Sequence, residues 1–247
     1  MLTSLFLIHT LLFPGSSTAA HELLTRGDLE FSRLQYAAAI ARYDSALNLE
    51  PENTEALWRL MRVYVTLGEV APHTERETLY RKAEQYGRLC VKADSSKAEC
   101  HTWLAAALGN IALFVGGSTK IELANEIKAE LEKALALRTD DDATYSILGS
   151  FYHAVGTVSW LERQLAWLLL GNVPDGGFEE SEAAYNRAIE LAPDVPRHRY
   201  ELGMLYVDWG RKEDALEMFE SALKLPITAA GDTVARKRMF ELIGDLK

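Results

Sequence analysis

Tyr200-Glu201-Leu202-Gly203-Met204-Leu205-Tyr206, followed by Gly210, Ala215, Phe219, Ala222 and Leu225-Pro226, is the stretch that decides the fold. Gly203, Ala215 and Ala222 are small at the positions where two antiparallel helices must approach closely. Tyr206 and Phe219 are large where the space between those helices needs filling. Pro226 cannot continue a helix and marks the end of the second. Working outward, partial copies recur. Tyr36, Ala39, Tyr43, Ala46 and Pro51 read as a second half, and Leu60, Tyr64 and Gly68 as the next first half. Leu148-Gly149, Tyr152 and Gly156 give another first half, completed by Phe178, Ser181, Tyr185, Ala188 and Pro193.

This is the tetratricopeptide pattern, whose standard unit is about 34 residues. The step from Gly149 to Gly203 exceeds that unit by roughly 20 residues, which fall between Gly156 and Phe178. Smaller insertions are expected near Gly68–Thr78 and Asn110–Lys120. The expected fold is therefore all-α: a tetratricopeptide-repeat α-solenoid of about five helix pairs, with an inserted apolar helix and a last helix from Thr233 to Leu246. Ser96-Lys97-Ala98-Glu99 reads as a capping box. Asp194-Val195-Pro196 suits a helix start with proline just inside it. Asp140-Asp141-Asp142 reads as helix-start chemistry too, because the glycine and glutamate of a calcium loop are missing.

Composition narrows the function. The 247 residues are 48% hydrophobic and 25% charged, as in an ordinary folded chain. The formal charge of −10 repels phosphate backbones and argues against nucleic acid as a partner. The longest basic run, Arg236-Lys237-Arg238, reads as a solvated helix end. Residues 2–13 are mostly apolar, Pro14-Gly15 breaks the run, and Ser17-Thr18-Ala19 and Thr18-Ala19-Ala20 offer small residues for a signal peptidase. The run is too short to span a bilayer, although no Lys or Arg precedes Leu2. Residues 1–19 are expected to be a signal peptide and residues 20–247 the repeat domain. The protein is then exported, periplasmic or envelope-associated, with no transmembrane helix in the mature chain. The alternative is a cytoplasmic or N-terminally membrane-anchored protein.

The chain also resembles the regulator of microtubule dynamics family, a branch of tetratricopeptide proteins. The resemblance runs from about Leu57 to the C-terminus. It rests on Leu57-Trp58-Arg59-Leu60 with Arg62, then His101 and Trp103, then Ile127-Lys128 with Leu131-Glu132-Lys133-Ala134. Trp160, Arg163, Ala166, Leu169 and Pro174, leading into Glu179-Glu180 and Arg187-Ala188, are its most specific part. They fall where the register count finds the extra residues. The resemblance implies a helical repeat domain without a catalytic motif. Animal members look like membrane-anchored or cytosolic proteins associated with microtubules and organelle contacts. The signal-like start departs from that, so an exported, bacterial-type member is expected. A related exported bacterial set, associated with transporters of small acids, is compatible with the chain.

Register places Trp58, Arg62, Thr102, Asn110, Ser146, His153, Tyr200, Met204 and Asp208 on the first helices of their pairs, toward a concave groove. The inserted stretch from Trp160 to Leu170, with Arg163 and Trp167, is apolar nearly all round, so it either plugs the groove or meets a partner or ligand. Cys90 and Cys100, the only cysteines, flank one turn and can either form a disulfide or pack as two small residues. They make a poor zinc site. His101 and His153 read as core residues with local hydrogen bonds.

His21-Glu22-Leu23-Leu24-Thr25 lacks the second histidine of a zinc protease, and Gly116-Gly117-Ser118-Thr119-Lys120 lacks the order of a phosphate loop. No cofactor, metal or catalytic residue is therefore expected. The sequence predicts a non-enzymatic scaffold that binds protein partners. The alternative is an exported binder of a small hydrophobic or organic-acid ligand, or a transporter accessory, with Trp160 and Trp167 walling the pocket.

Overall fold

The computed structural model describes residues 14–159, 164 and 174–247. Among them, eleven helices follow one another and no strand occurs. They are α1 (Pro14–Ser32), α2 (Tyr36–Leu49), α3 (Thr54–Val70), α4 (His73–Ala93), α5 (Ala98–Ile111), α6 (Gly117–Leu137), α7 (Asp142–Gly156), α8 (Phe178–Leu191), α9 (Pro196–Trp209), α10 (Lys212–Ala222) and α11 (Ala230–Leu246). The first ten pack as five successive pairs, each against the next, and α11 follows. The fold is the expected tetratricopeptide-repeat solenoid. Apart from Gln164, the apolar insert around Trp160–Leu170 lies outside the described residues, as do residues 1–13 of the expected signal peptide.

Four of the five pairs, all but α5–α6, set a glycine of the first helix against an aromatic ring of the second. A β-carbon on Gly203 would lie 2.4 Å from the Phe219 ring, on Gly149 2.6 Å from Tyr185, and on Gly27 2.3 Å from Tyr43. Only glycine lets the two backbones come that close. All three rings are fully buried. Gly27 completes the first unit, whose first helix carries too little of the pattern to read. The second pair adds a reversed contact: Gly87 of α4 faces Met61 of α3 and Leu104 of α5. The expected extra residues near Gly68–Thr78 and Asn110–Lys120 lengthen helices, since α4 and α6 each run 21 residues.

Several local expectations need correction. Ser96 does not cap α5. Asp94 accepts both the Ser96 N–H at 2.8 Å and its hydroxyl at 2.6 Å, so that oxygen is engaged in a turn and Lys97 takes the cap position. The last helix starts at Ala230, not Thr233. Asp232 Oδ2 accepts the N–H groups of Thr228 and Ala229 at 2.7 and 2.8 Å, and this draws the helix start back. The basic run 236–238 therefore lies within α11, and Arg236 donates to the Leu225 carbonyl at 2.7 Å. The other two starts hold: Pro196 opens α9, and Asp141 caps α7 through the Thr144 N–H.

Candidate partner-binding groove

Consecutive first helices line one side of a solenoid, so the groove can be built from their registers. On α3, Trp58, Arg62 and Glu69 are spaced i, i+4, i+11 and share a face. On α9, Arg197, Met204 and Asp208 are spaced i, i+7, i+11 and do the same. The two faces meet. Arg197 grips Glu69 with both terminal nitrogens, at 2.7 and 3.1 Å, across 128 residues of sequence. Its Nε lies 2.9 Å from Glu201. Burial raises the Glu69 carboxyl above the usual carboxylate range, with Arg197 opposing it. The sequence alone does not mark these carboxylates as groove residues.

Helix α11 crosses this meeting point. Its first N–H, on Ala230, donates to the Tyr36 hydroxyl at 3.0 Å, and Gly231 lies against Glu69 and Arg197. Farther along, Met239 and Leu242 are buried with Leu202, Leu205 and Phe219, and Tyr200 and Met204 pack against that cluster. Two of the expected groove residues therefore lie in the C-terminal core. The groove is partly filled by the chain's own last helix.

The other expected positions divide. Asn110 donates to the Ala106 carbonyl of its own helix at 2.9 Å. Thr102 is buried and bonded to Thr144 at 2.6 Å, which makes it core. His153 Nε2 lies 2.8 Å from Asp208, joining α7 to α9. His101 is buried between Glu130 at 2.5 Å and the Ser95 carbonyl at 2.9 Å, as expected of a core histidine. Trp160, Arg163 and Trp167 lie outside the described residues.

What stays accessible is the N-terminal part. Trp58 is half-buried, and its Nε1 donates to Glu55 at 2.9 Å. The Arg59 guanidinium sits 4.3 Å from its ring centroid and that of Arg62 5.0 Å. Arg62 also covers the Phe31 ring at 4.0 Å. Asp28 pairs with both arginines, at 2.9 and 3.3 Å. Burial pulls the Arg62 guanidinium below its ordinary value, and its Nε has no hydrogen-bond partner. An indole framed by cations and carboxylates offers stacking and ionic contacts together.

Beneath this cluster Cys90 and Cys100 are joined sulfur to sulfur, with Cα atoms 5.4 Å apart. The bridge ties α4 to α5 and is buried beside Leu57 and Met61. Among the described residues, no three His, Cys, Asp or Glu side chains gather where they could hold a metal ion. No described helix is long and apolar enough to cross a membrane.

The pattern of the family described as "Regulator of microtubule dynamics protein 1-3" matches residues 23–247. The chain belongs to the regulator of microtubule dynamics family. Relatives include regulator of microtubule dynamics protein 2 of Rattus norvegicus, 29% identical over 79% of this chain and 48% of that protein. Protein 1 of Bos taurus is 25% identical, over 78% of this chain and 62% of its own length. The chain thus spans about half the length of the curated relatives it matches first. Among solved structures, a thermophilic TPR protein of Thermus thermophilus superposes with a TM-score of 0.68, at 21% identity, over 91% of this chain and 99% of that one. That likeness concerns the fold. What this family member shares with its relatives is the helical-repeat scaffold.

Proposed function

We propose that the chain is an exported, non-enzymatic scaffold that holds a protein partner on the N-terminal part of its groove. The observation that carries the reading is the half-buried Trp58, stacked with Arg59 and Arg62, in the part of the groove that α11 does not fill. Tryptophan and arginine are the side chains most enriched where binding energy concentrates. One feature supports export. The Cys90–Cys100 bridge suits an oxidising compartment. The relatives' name concerns microtubule dynamics. An exported scaffold would share their architecture and meet different partners. The small-ligand alternative rests on Trp160 and Trp167, outside the described residues.

The test is affinity capture from the native host's envelope fraction with residues 20–247, beside a Trp58→Ala variant whose helicity is checked by circular dichroism. A discrete partner held by the parent and weakened about tenfold or more by the variant is expected. Equal capture by both, or no reproducible partner, contradicts the reading.

A further inference from the structure

Solenoid repeats touch their neighbours, and contacts between distant repeats are the exception. Here three such contacts converge at one place. Arg197 of α9 holds Glu69 of α3 across 128 positions. The Ala230 N–H reaches the Tyr36 hydroxyl of α2 across 194 positions. Gly231 brings the α11 backbone so close that a β-carbon would lie 2.9 Å from Glu69 Oε2 and 3.0 Å from an Arg197 nitrogen. The join brings the fifth pair and the last helix onto the first two pairs.

We propose that this join is a latch: Glu69, Arg197, Tyr36 and the start of α11 hold the groove shut, and their release opens it to the partner. The consequence for binding rests on the reading of the groove given above; the latch itself does not. The physical case is a contrast between interfaces. Successive pairs pack through buried apolar clusters, such as Tyr43 with Leu60 and Val63, and Tyr185 with Leu202 and Leu205. The join is made by an ion pair, one hydrogen bond and a glycine contact, with Ala230 packing against the apolar cluster that holds Tyr36. A buried ion pair gives little net stability, because desolvation offsets most of the attraction. Arg197 and Glu69 keep only 32% and 23% of their side-chain surface accessible, so desolvation weighs on both charges. The join is therefore the interface that separates first. Its release frees the Glu69 end of the α3 face and so extends the accessible surface around Trp58 and Arg62, while Met239 and Leu242 keep the far end of α11 anchored on α9 and α10. The anchored end makes the opening a hinge movement of α11 rather than unfolding.

Two variants test it: Glu69→Gln, which removes one charge with little change of shape, and Gly231→Leu, which wedges the contact apart. Hydrogen exchange read by mass spectrometry is compared with the parent, without any partner present. In at least one variant, peptides covering 230–236 and 36–40 should exchange at least about tenfold faster, while those of α5, α6 and α10 stay unchanged. Capture of the partner should rise in that variant. Unchanged exchange at 230–236 in both variants, or acceleration in all helices alike, overturns the latch. Local opening with unchanged capture overturns its gating of the groove, even where the parent's capture through Trp58 stands.

Discussion

Glu55 gathers the charges at the accessible end of the groove. It accepts from Arg59 at 2.6 Å and from Trp58 at 2.9 Å, and it pairs with Lys97. Burial alone would raise its carboxyl. The bonds from Lys97, Arg59 and Trp58 outweigh that and bring it from the usual 4.5 to about 2. A carboxyl depressed in the folded state stabilises where it is ionised. This contribution is complete above pH 4.5 and disappears as the pH falls toward 2. Glu55→Gln should therefore destabilise the protein at neutral pH and flatten its loss of stability across that window. The side chain keeps 40% exposure, so screening limits the neutral-pH effect to about 1 kcal/mol or less. Urea denaturation from pH 7 to 2 checks it, and parallel curves for parent and variant would count against the assignment. Trp58 and Arg62 are legible at this scale, because a repeat register says which side of its helix a residue takes. Asp28, Glu69 and Arg197 are not. Their pairing across 31 to 128 positions depends on how the repeats curve, which no local period encodes.

At the scale of helix pairs, the small-against-large pattern in the sequence is the packing itself. Gly203 faces Phe219, and a methyl there meets a fully buried ring with no room to turn. Gly203→Ala should destabilise by about 1–3 kcal/mol through overpacking. Gly109, inside α5, has nothing within 4 Å of where a β-carbon would sit. Gly109→Ala should be neutral or stabilising by up to about 1 kcal/mol, as alanine favours the helix. Chemical denaturation of the two variants side by side separates packing from propensity, and equal shifts would contradict this account of the pairs. In the second unit Gly68 keeps the small role against the Tyr80 ring, while Gly87 against Met61 adds a reversed contact that the pattern does not announce. The start of α5 is misread from the motif because Asp94 competes with the backbone for the Ser96 hydroxyl. Such local competition is invisible in a motif.

On the scale of the whole molecule, five pairs, one bridge and a returning last helix make a scaffold whose setting decides which partners it can meet. The fold class follows from the repeat pattern, since each unit cannot bury its apolar face alone. The return of α11 into the groove does not, because the sequence of α11 carries no repeat signature. The bridge matters to the whole because it ties the second pair to the third. Closing a loop of about ten residues contributes on the order of 2–3 kcal/mol by restricting the unfolded chain. Reductant should lower the melting temperature, and a Cys90→Ala, Cys100→Ala double variant should not respond to it. The proposed export would place this scaffold outside the reducing cytosol. The intact mass of the protein from its native host, with and without reductant, tests that most directly. The expected protein lacks residues 1–19 or 1–20 and is lighter by about 2 Da before reduction, the two hydrogens lost to a disulfide. A chain that keeps residues 1–19 and carries two free thiols would contradict export.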